Sequence, residues 1–342
     1  MRRVNVASRW TLGTLDPYGW TLTDWGLFFL QRHRYRFHTF SAMQTTILNP
    51  RARYSPELRH FCQKYKQSPL TFLSTNPKTE KSAVQTYILH LAPADTSGVN
   101  VCAGAGNCKK ICLHFAGNPV YMKGKGACRI RKTLAYDANP RAFMELLVVS
   151  ILTKRFKLSL AEWMAVRLNG TSDIPWENVD FNVSVEFARF CSIKFGVSLH
   201  VGLQNIFELF NSLNLKIKFY DYTKIKRNWA YCAMLGYHLT FSYDGADNTS
   251  NLKLCRDALA NGVNVAAAFN CKKRDELPLY VKASQIYGDN PAYSDRILAI
   301  QDGDLTDYRP GDIPGGSIIG LRFKLPHGTP YTAADRQAFC IA

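Results

Sequence analysis

Three cysteines, Cys102, Cys108 and Cys112, fall within eleven residues of a glycine-bearing stretch, with His114 and Cys128 close behind. Thiolates at this density can wrap a metal. Four of them, with Cys128 as the fourth, or three with an imidazole, suit tetrahedral zinc. Three with an open position suit an iron–sulfur (Fe–S) cluster that also takes a substrate or cofactor. The spacing Cys102-x5-Cys108-x3-Cys112 lacks the paired CxxC of structural zinc sites, and reduced cysteines without metal are the third reading. Lys109, Lys110, Lys123, Lys125, Arg129, Arg131 and Lys132 surround the loop. They are expected to favour thiolates and could clamp phosphates. Lys123-Gly-Lys-Gly126 reads either as an anion-binding turn or as a solvated basic loop.

A second stretch, Ala165-Val-Arg-Leu-Asn-Gly-Thr-Ser-Asp-Ile-Pro-Trp-Glu177, passes from an apolar run into a polar, Gly-bearing loop. That is the grammar of a buried strand ending at a ligand-binding edge. Arg167, Asn169, Thr171, Ser172 and Glu177 are candidates for lining a pocket, and Asp173 for catalysis. Trp176 either stacks a base or sugar or fills the core. Tyr222, Thr223 and the catalytic candidate Lys224 follow another such run. Asp302, Asp304, Asp307 and Arg309 follow a third. Asp302 and Asp304, with Asp307, offer hard oxygen ligands for a divalent cation or acid–base groups. Alternatively, Asp304 and Asp307 pair with Arg309 to fix a turn.

Elements that could position these groups alternate along the chain. Apolar runs predict strands over 84–92, 165–168, 216–220, 237–243, 263–269, 297–301 and 318–323. Helical patterns fall over 56–65, 139–156, 204–212, 228–235 and 249–260, with Ser55 and Asn139 as N-caps, prolines just inside, and Gly262 as a C-terminal stop. Strands separated by helices imply an α/β fold with a largely parallel sheet. No early GxGxxG is present, which favours a (β/α) barrel or partial barrel over a doubly wound sheet. In such a fold the strand-end loops converge on one edge. Three regions are expected: residues 1–42 as a leader or disordered extension, 43–82 as an N-terminal helical segment, and 83–342 as the (β/α)-type domain. Residues 1–42 carry six Arg, no Lys and only Asp16 and Asp24 as acids. They resemble a transit peptide or a leader read from an upstream start, with Met43 the true beginning. Asn76-Pro77 and residues 78–82 are expected to be a polar break.

The 342 residues carry a net charge of +17, with 46% hydrophobic and 13% aromatic residues. This composition excludes a disordered chain. No apolar run reaches the roughly 18–20 residues of a membrane span, so no membrane partner and a cytoplasmic location are expected. The basic balance favours a nucleic acid or phosphorylated ligand as partner. The six other cysteines are expected to pack as thiols.

Together these motifs resemble the gene-product-88 family of bacteriophage and prophage proteins. The residues that carry the likeness are the Cys102/Cys108/Cys112 loop, Arg167–Glu177, Phe219-Tyr-Asp-Tyr-Thr-Lys224, Leu239-Thr-Phe-Ser-Tyr243, Asp302-Gly-Asp-Leu-Thr-Asp-Tyr-Arg309 and Ile319-Gly-Leu-Arg-Phe-Lys324. They span residues 84–324, outside the 1–42 extension. The resemblance implies a phage or prophage origin and a phage-carrying host cell, and it brings no reaction with it. The loop is also similar in position, not in spacing, to that of radical-SAM enzymes (CxxxCxxC), which makes S-adenosylmethionine a cofactor to test. Two readings follow: a metal- or cluster-dependent enzyme acting on a nucleotide or nucleic acid, and a basic nucleic-acid-binding protein of phage replication or host takeover without enzymatic activity.

Overall fold

The computed structural model describes residues 53–80, 82–112, 114, 123–272, 274–288, 296–324 and 331–341. The expected leader over 1–42 and the start at Met43 lie outside them. Among the described residues ten strands form: β1 (Gln85–Ile88), β2 (Met164–Arg167), β3 (Asp180–Val183), β4 (Gly202–Asn205), β5 (Ile217–Thr223), β6 (Tyr237–Ser242), β7 (Val265–Phe269), β8 (Tyr280–Lys282), β9 (Ile297–Asp302) and β10 (Ile318–Arg322). Eight build one sheet in the order β1-β2-β5-β6-β7-β10-β9-β8, and β3 and β4 pair antiparallel on their own. All seven strands expected from the sequence are in the large sheet, and they run parallel. Only β8 is antiparallel, at the edge beside β9.

Helices begin where the chain supplies caps. The Ser55 hydroxyl accepts from Leu58 N to start Pro56–Lys64, and the Asn139 side chain accepts from Ala142 N to start Pro140–Arg155. Helix Thr249–Ala260 has the bounds its pattern predicts, and Gly262 follows it at φ +73°. The supposed basic loop after the cysteines is a helix, Lys123–Ala138, with Lys123-Gly-Lys-Gly126 as its first turn. The polar break after Asn76 holds a single helical turn, Pro77–Glu80.

In-register residues of parallel strands face the same side of the sheet. One side carries Met164, Val166, Phe219, Tyr237 and Leu239, packed in one cluster with Phe143, Leu147 and Phe207 of the helices. Phe241, Val265, Phe269 and Ile318 continue that side against Leu252, Cys255 and Leu259. The other side presents Thr86, Ile88, Arg167, Tyr220, Tyr222, His238 and Thr240. None of these residues belongs to a helix-packed cluster. Instead, the chain between β9 and β10 crosses this face. Tyr308 sets its ring edge-on to Tyr220 at 5.9 Å, and the turn Arg309–Gly311 packs on β5 and β6.

Among the described residues no pairing joins β1 to β8 or β9, so the sheet does not close into the expected barrel. It is not flat either. Six strand spacings separate β1 from β9, roughly 29 Å in a flat sheet. Yet Lys78, on the turn that packs against β1, pairs with Asp304 at 2.9 Å and Asp307 at 3.5 Å just beyond β9. The sheet must curl toward the side bearing Arg167 and Tyr222, which becomes the inner face.

The outer face depends on Phe143, which is fully buried and touches Phe72, Tyr136 and Trp176. Phe143→Ala is expected to cost about 3–5 kcal/mol, read as a lowered urea midpoint with an unchanged m-value.

Candidate functional site

Parallel strands put all their carboxyl ends on one edge, and the loops from that edge are bound to each other. The loop after β2 is held from beneath by Asp221 of β5. Its fully buried carboxylate accepts from Leu168 N at 3.0 Å, from Asn169 N at 2.8 Å and from the Tyr237 hydroxyl at 2.8 Å. Burial pushes Asp221 up to about 7, against the pull of Arg167 and these donors. Asn169 then ties the rest of the loop. Its side-chain oxygen accepts from the Ser172 hydroxyl, Ile174 N and the Trp176 indole, and its amide donates to Ile174 O.

Several expected pocket residues therefore serve the fold instead. Asn169 and Ser172 are buried and spend their polar atoms on this loop. Trp176 is fully buried among Phe143 and Tyr136, so it fills the core and stacks no base. Thr171 donates to Leu91 O, and buried Thr223 accepts from Arg227. Glu177 and the catalytic candidate Asp173 are both held by Arg227, at 2.8 and 2.7 Å, with all three buried. No sequence signal marked Arg227, which lies 54 residues from Asp173.

Lys224 stands where three loops meet. Its amide donates to Asp173, and its ammonium donates to Tyr243 O at 2.9 Å and lies 3.2 Å from Asp244. The fully buried Asp244 also accepts from the amides of Asn107 and Cys108, fastening the cysteine loop to the edge. Only glycine allows that contact at 106, since a Cβ there would stand 2.1 Å from Asp244 Oδ2.

The cysteines are gathered but not clenched. Cys102, Cys108 and Cys112 all lie on the loop that Asp244 fastens to this edge. Cys102 Sγ lies 3.3 Å from Ala94 N and 3.7 Å from Thr171 O, while Cys112 Sγ accepts from His114 N. The expectation that nearby bases lower these thiols is overturned. Burial pushes Cys102 up to about 11 and Cys108 to about 12, and raises Cys112, outweighing Lys224, Arg129 and Lys125. Among the described residues no group of three or more His, Cys, Asp or Glu side chains meets closely enough to hold one ion. A tetrahedral zinc site of Cys102, Cys108, Cys112 and Cys128 is therefore not assembled. A polynuclear cluster, whose ligands bind different irons, requires wider spacing.

The acidic group lies elsewhere on the edge. Asp302 pairs with Arg322 at 2.9 Å, and that bond, with its other partners, holds its carboxyl below the ordinary range. Burial pushes Asp304 up, but the Arg322 amide and Lys78 outweigh it and hold this carboxyl low too. Asp307 pairs with Lys78, and Arg309 pairs with Asp312 at 3.4 Å instead of Asp304 or Asp307. These aspartates brace the β9–β10 region, and no cation site forms from them among the described residues.

Just inside this edge, the inner face holds polar groups that the sequence did not single out together. Arg167 lies over the Tyr220 and Tyr222 rings at 5.7 and 5.1 Å. Buried polar atoms without hydrogen-bond partners recur on this face: His90 Nδ1, Arg167 Nε, His238 Nε2 and Thr240 Oγ1. Burial, with Arg309 nearby, lowers His238 to about 4. Alternation along β1, β2, β5 and β6 could have predicted this shared face; the missing partners could not be read from sequence.

These features define an α/β protein with a mostly parallel sheet, helices on its outer face, and thiol, cationic and unpartnered polar groups at one edge. The chain belongs to the gene product 88 family, whose model matches residues 64–342. Searches of curated proteins and of solved structures find no match. No helix among the described residues is long and apolar enough to cross a membrane.

Two measurements test the scaffold of the edge. Arg227→Met leaves Asp173 and Glu177 buried and unpaired, and is expected to cost about 3–5 kcal/mol in urea unfolding. Asp221 holds its proton more tightly when folded, near 7, than at its ordinary 3.8. Its contribution to stability is therefore full below the lower value and is lost as pH rises through the higher one. Wild-type stability should fall between pH 4 and 7 relative to Asp221→Asn, and parallel pH profiles would remove this assignment.

Proposed function

We propose that this protein is an enzyme acting on a nucleotide or nucleic acid, built as a partial (β/α) barrel, with an iron–sulfur cluster held by Cys102, Cys108 and Cys112. The observation that carries the reading is the anchoring of the loop that bears all three thiols at the sheet's carboxyl edge, where Asp244 accepts from Asn107 N and Cys108 N and Cys102 Sγ lies 3.7 Å from Thr171 O. Helices on one face and a curled, polar inner face fit a partial barrel better than a doubly wound sheet, which is clothed on both faces. Lys224, Lys125 and Arg129 all act on Cys112, which suits an anionic thiolate cluster. When bound, such a cluster supplies electron-transfer chemistry or an open coordination position. Lys224 and the Asp244 contacts fix the loop, and Arg167, Tyr222 and His238 face the substrate side.

Protein purified without air is expected to contain iron and acid-labile sulfide and to show broad visible absorption. Cys102→Ala, Cys108→Ala and Cys112→Ala should each lose these, while Cys128→Ala, outside the triad, keeps them. Iron-free protein, or iron retained in a folded triple variant, would end the cluster assignment.

The second reading, a basic nucleic-acid-binding protein in a phage-carrying cell, draws on the net charge of +17. It predicts affinity for DNA or RNA that falls steeply and linearly on a logarithmic salt scale and is indifferent to Arg167→Gln and His238→Gln.

A further inference from the structure

Four cations near the inner face between β1 and β2 all act on His90, and of the four only Arg167 feels carboxylates, those of Asp221 and Asp307. Lys125, Arg129 and Lys132 come from helix Lys123–Ala138, and Arg167 ends β2. Among the described residues none of the four takes part in an ion pair. Arg129 meets the His114 ring at 2.6 Å, Lys132 donates to Phe72 O at 2.6 Å, and Arg167 rests on two tyrosine rings with its Nε unpartnered. His90, just past β1, stands among them. Its Nδ1 is buried with no hydrogen-bond partner, and burial together with Arg129, Arg167, Lys132 and Lys125 holds the imidazole well below its ordinary range, hence neutral. Nδ1 faces Gly170 of the β2 loop. A Cβ there would stand 2.5 Å from this nitrogen, 2.4 Å from Ile88 and 2.7 Å from Leu89 O, so only glycine lets the loop pass this close to His90.

Buried positive charges without a counter-ion are costly unless an anion joins them. Two guanidinium groups present forked donors matched to tetrahedral oxyanions, and the ammonium groups add point charges. Several positive charges suit a dianion better than a single carboxylate. We propose that His90, Arg129 and Arg167, with Lys125 and Lys132 behind them, form a binding cradle for a phosphate group of the substrate. The phosphate's place in a nucleotide rests on the function proposed above; the binding itself requires no cluster.

The experiment uses the full chain and follows thermal unfolding against increasing inorganic phosphate, acetate and adenosine monophosphate, each compared with chloride at equal ionic strength. Phosphate and the nucleotide should raise Tm saturably, and acetate should not. Arg167→Gln and Arg129→Gln should weaken apparent phosphate affinity at least tenfold. Arg167→Lys, which keeps the charge but loses the fork, should fall between them and the wild type. Arg189→Gln, on the exposed side of helix Val185–Phe195, should change nothing. No phosphate-specific shift, or an equal shift in wild type and Arg167→Gln, would overturn the cradle. Repeating the titration on iron-free Cys102→Ala protein separates the two ideas: retained phosphate binding there upholds the cradle whatever the iron analysis shows, and its loss there overturns a cradle independent of the cluster.

Discussion

The arrangement of the edge depends on one buried carboxylate receiving three donors. Asp221 belongs to β5, yet it fixes the first two amides of the loop leaving β2 and orients Tyr237 at the start of β6. A neighbouring strand thus decides where Leu168 and Asn169 lie. Asn169 passes that order on to Ser172, Ile174 and Trp176, and Asp173 receives Lys224 N and Arg227. Lys224 then reaches Asp244, which grips the cysteine loop. Thiols that share no strand with Asp221 take their position from it through this chain of contacts. Such networks are worth keeping only when fully satisfied, and nearly every polar atom in this one has a partner.

The inner face follows the opposite rule. The outer face is paid for by ordinary apolar burial, whereas the inner one keeps imidazole, guanidinium and hydroxyl groups with atoms unpartnered. Groups of that kind lower stability, and strained or unsatisfied positions cluster where function is. The contrast between a satisfied loop network and an unsatisfied face beside it separates support from site more sharply than residue type does. Asn169, Ser172 and Trp176 look like ligand contacts by type and are supports by bonding.

What the sequence disclosed follows from this division. The seven parallel strands were legible because each is a short, largely apolar run set off by polar loops or helical patterns, and helix Thr249–Ala260 because its caps and stop are local. The β3–β4 pair was not, since four alternating residues such as Asp180–Val183 carry too little signal. Helix Lys123–Ala138 was hidden by Gly124 and Gly126, which oppose helix formation. The convergence of loops on one edge was legible from topology. The partners were not: Arg227 with Asp173, Lys78 with Asp304, and Asp244 with Cys108 join residues far apart in the chain. Thiol behaviour was misjudged for the same reason, because neighbouring bases are visible in sequence and burial is not.

The strand order also sets a timetable. From β1 through β2, β5, β6 and β7, each strand of the large sheet is laid beside the one made before it, so this half can grow as the chain emerges. The order then breaks: β10, the last strand made, lies between β7 and β9. Strands β8 and β9 pair with each other but join the rest of the sheet only through β10, and Ile341 pairs with Phe269 of β7 from further on still. The final strand is thus a keystone, and the Lys78–Asp304 pair spans 226 residues of chain. Contacts of such long range form slowly and leave strand edges open meanwhile.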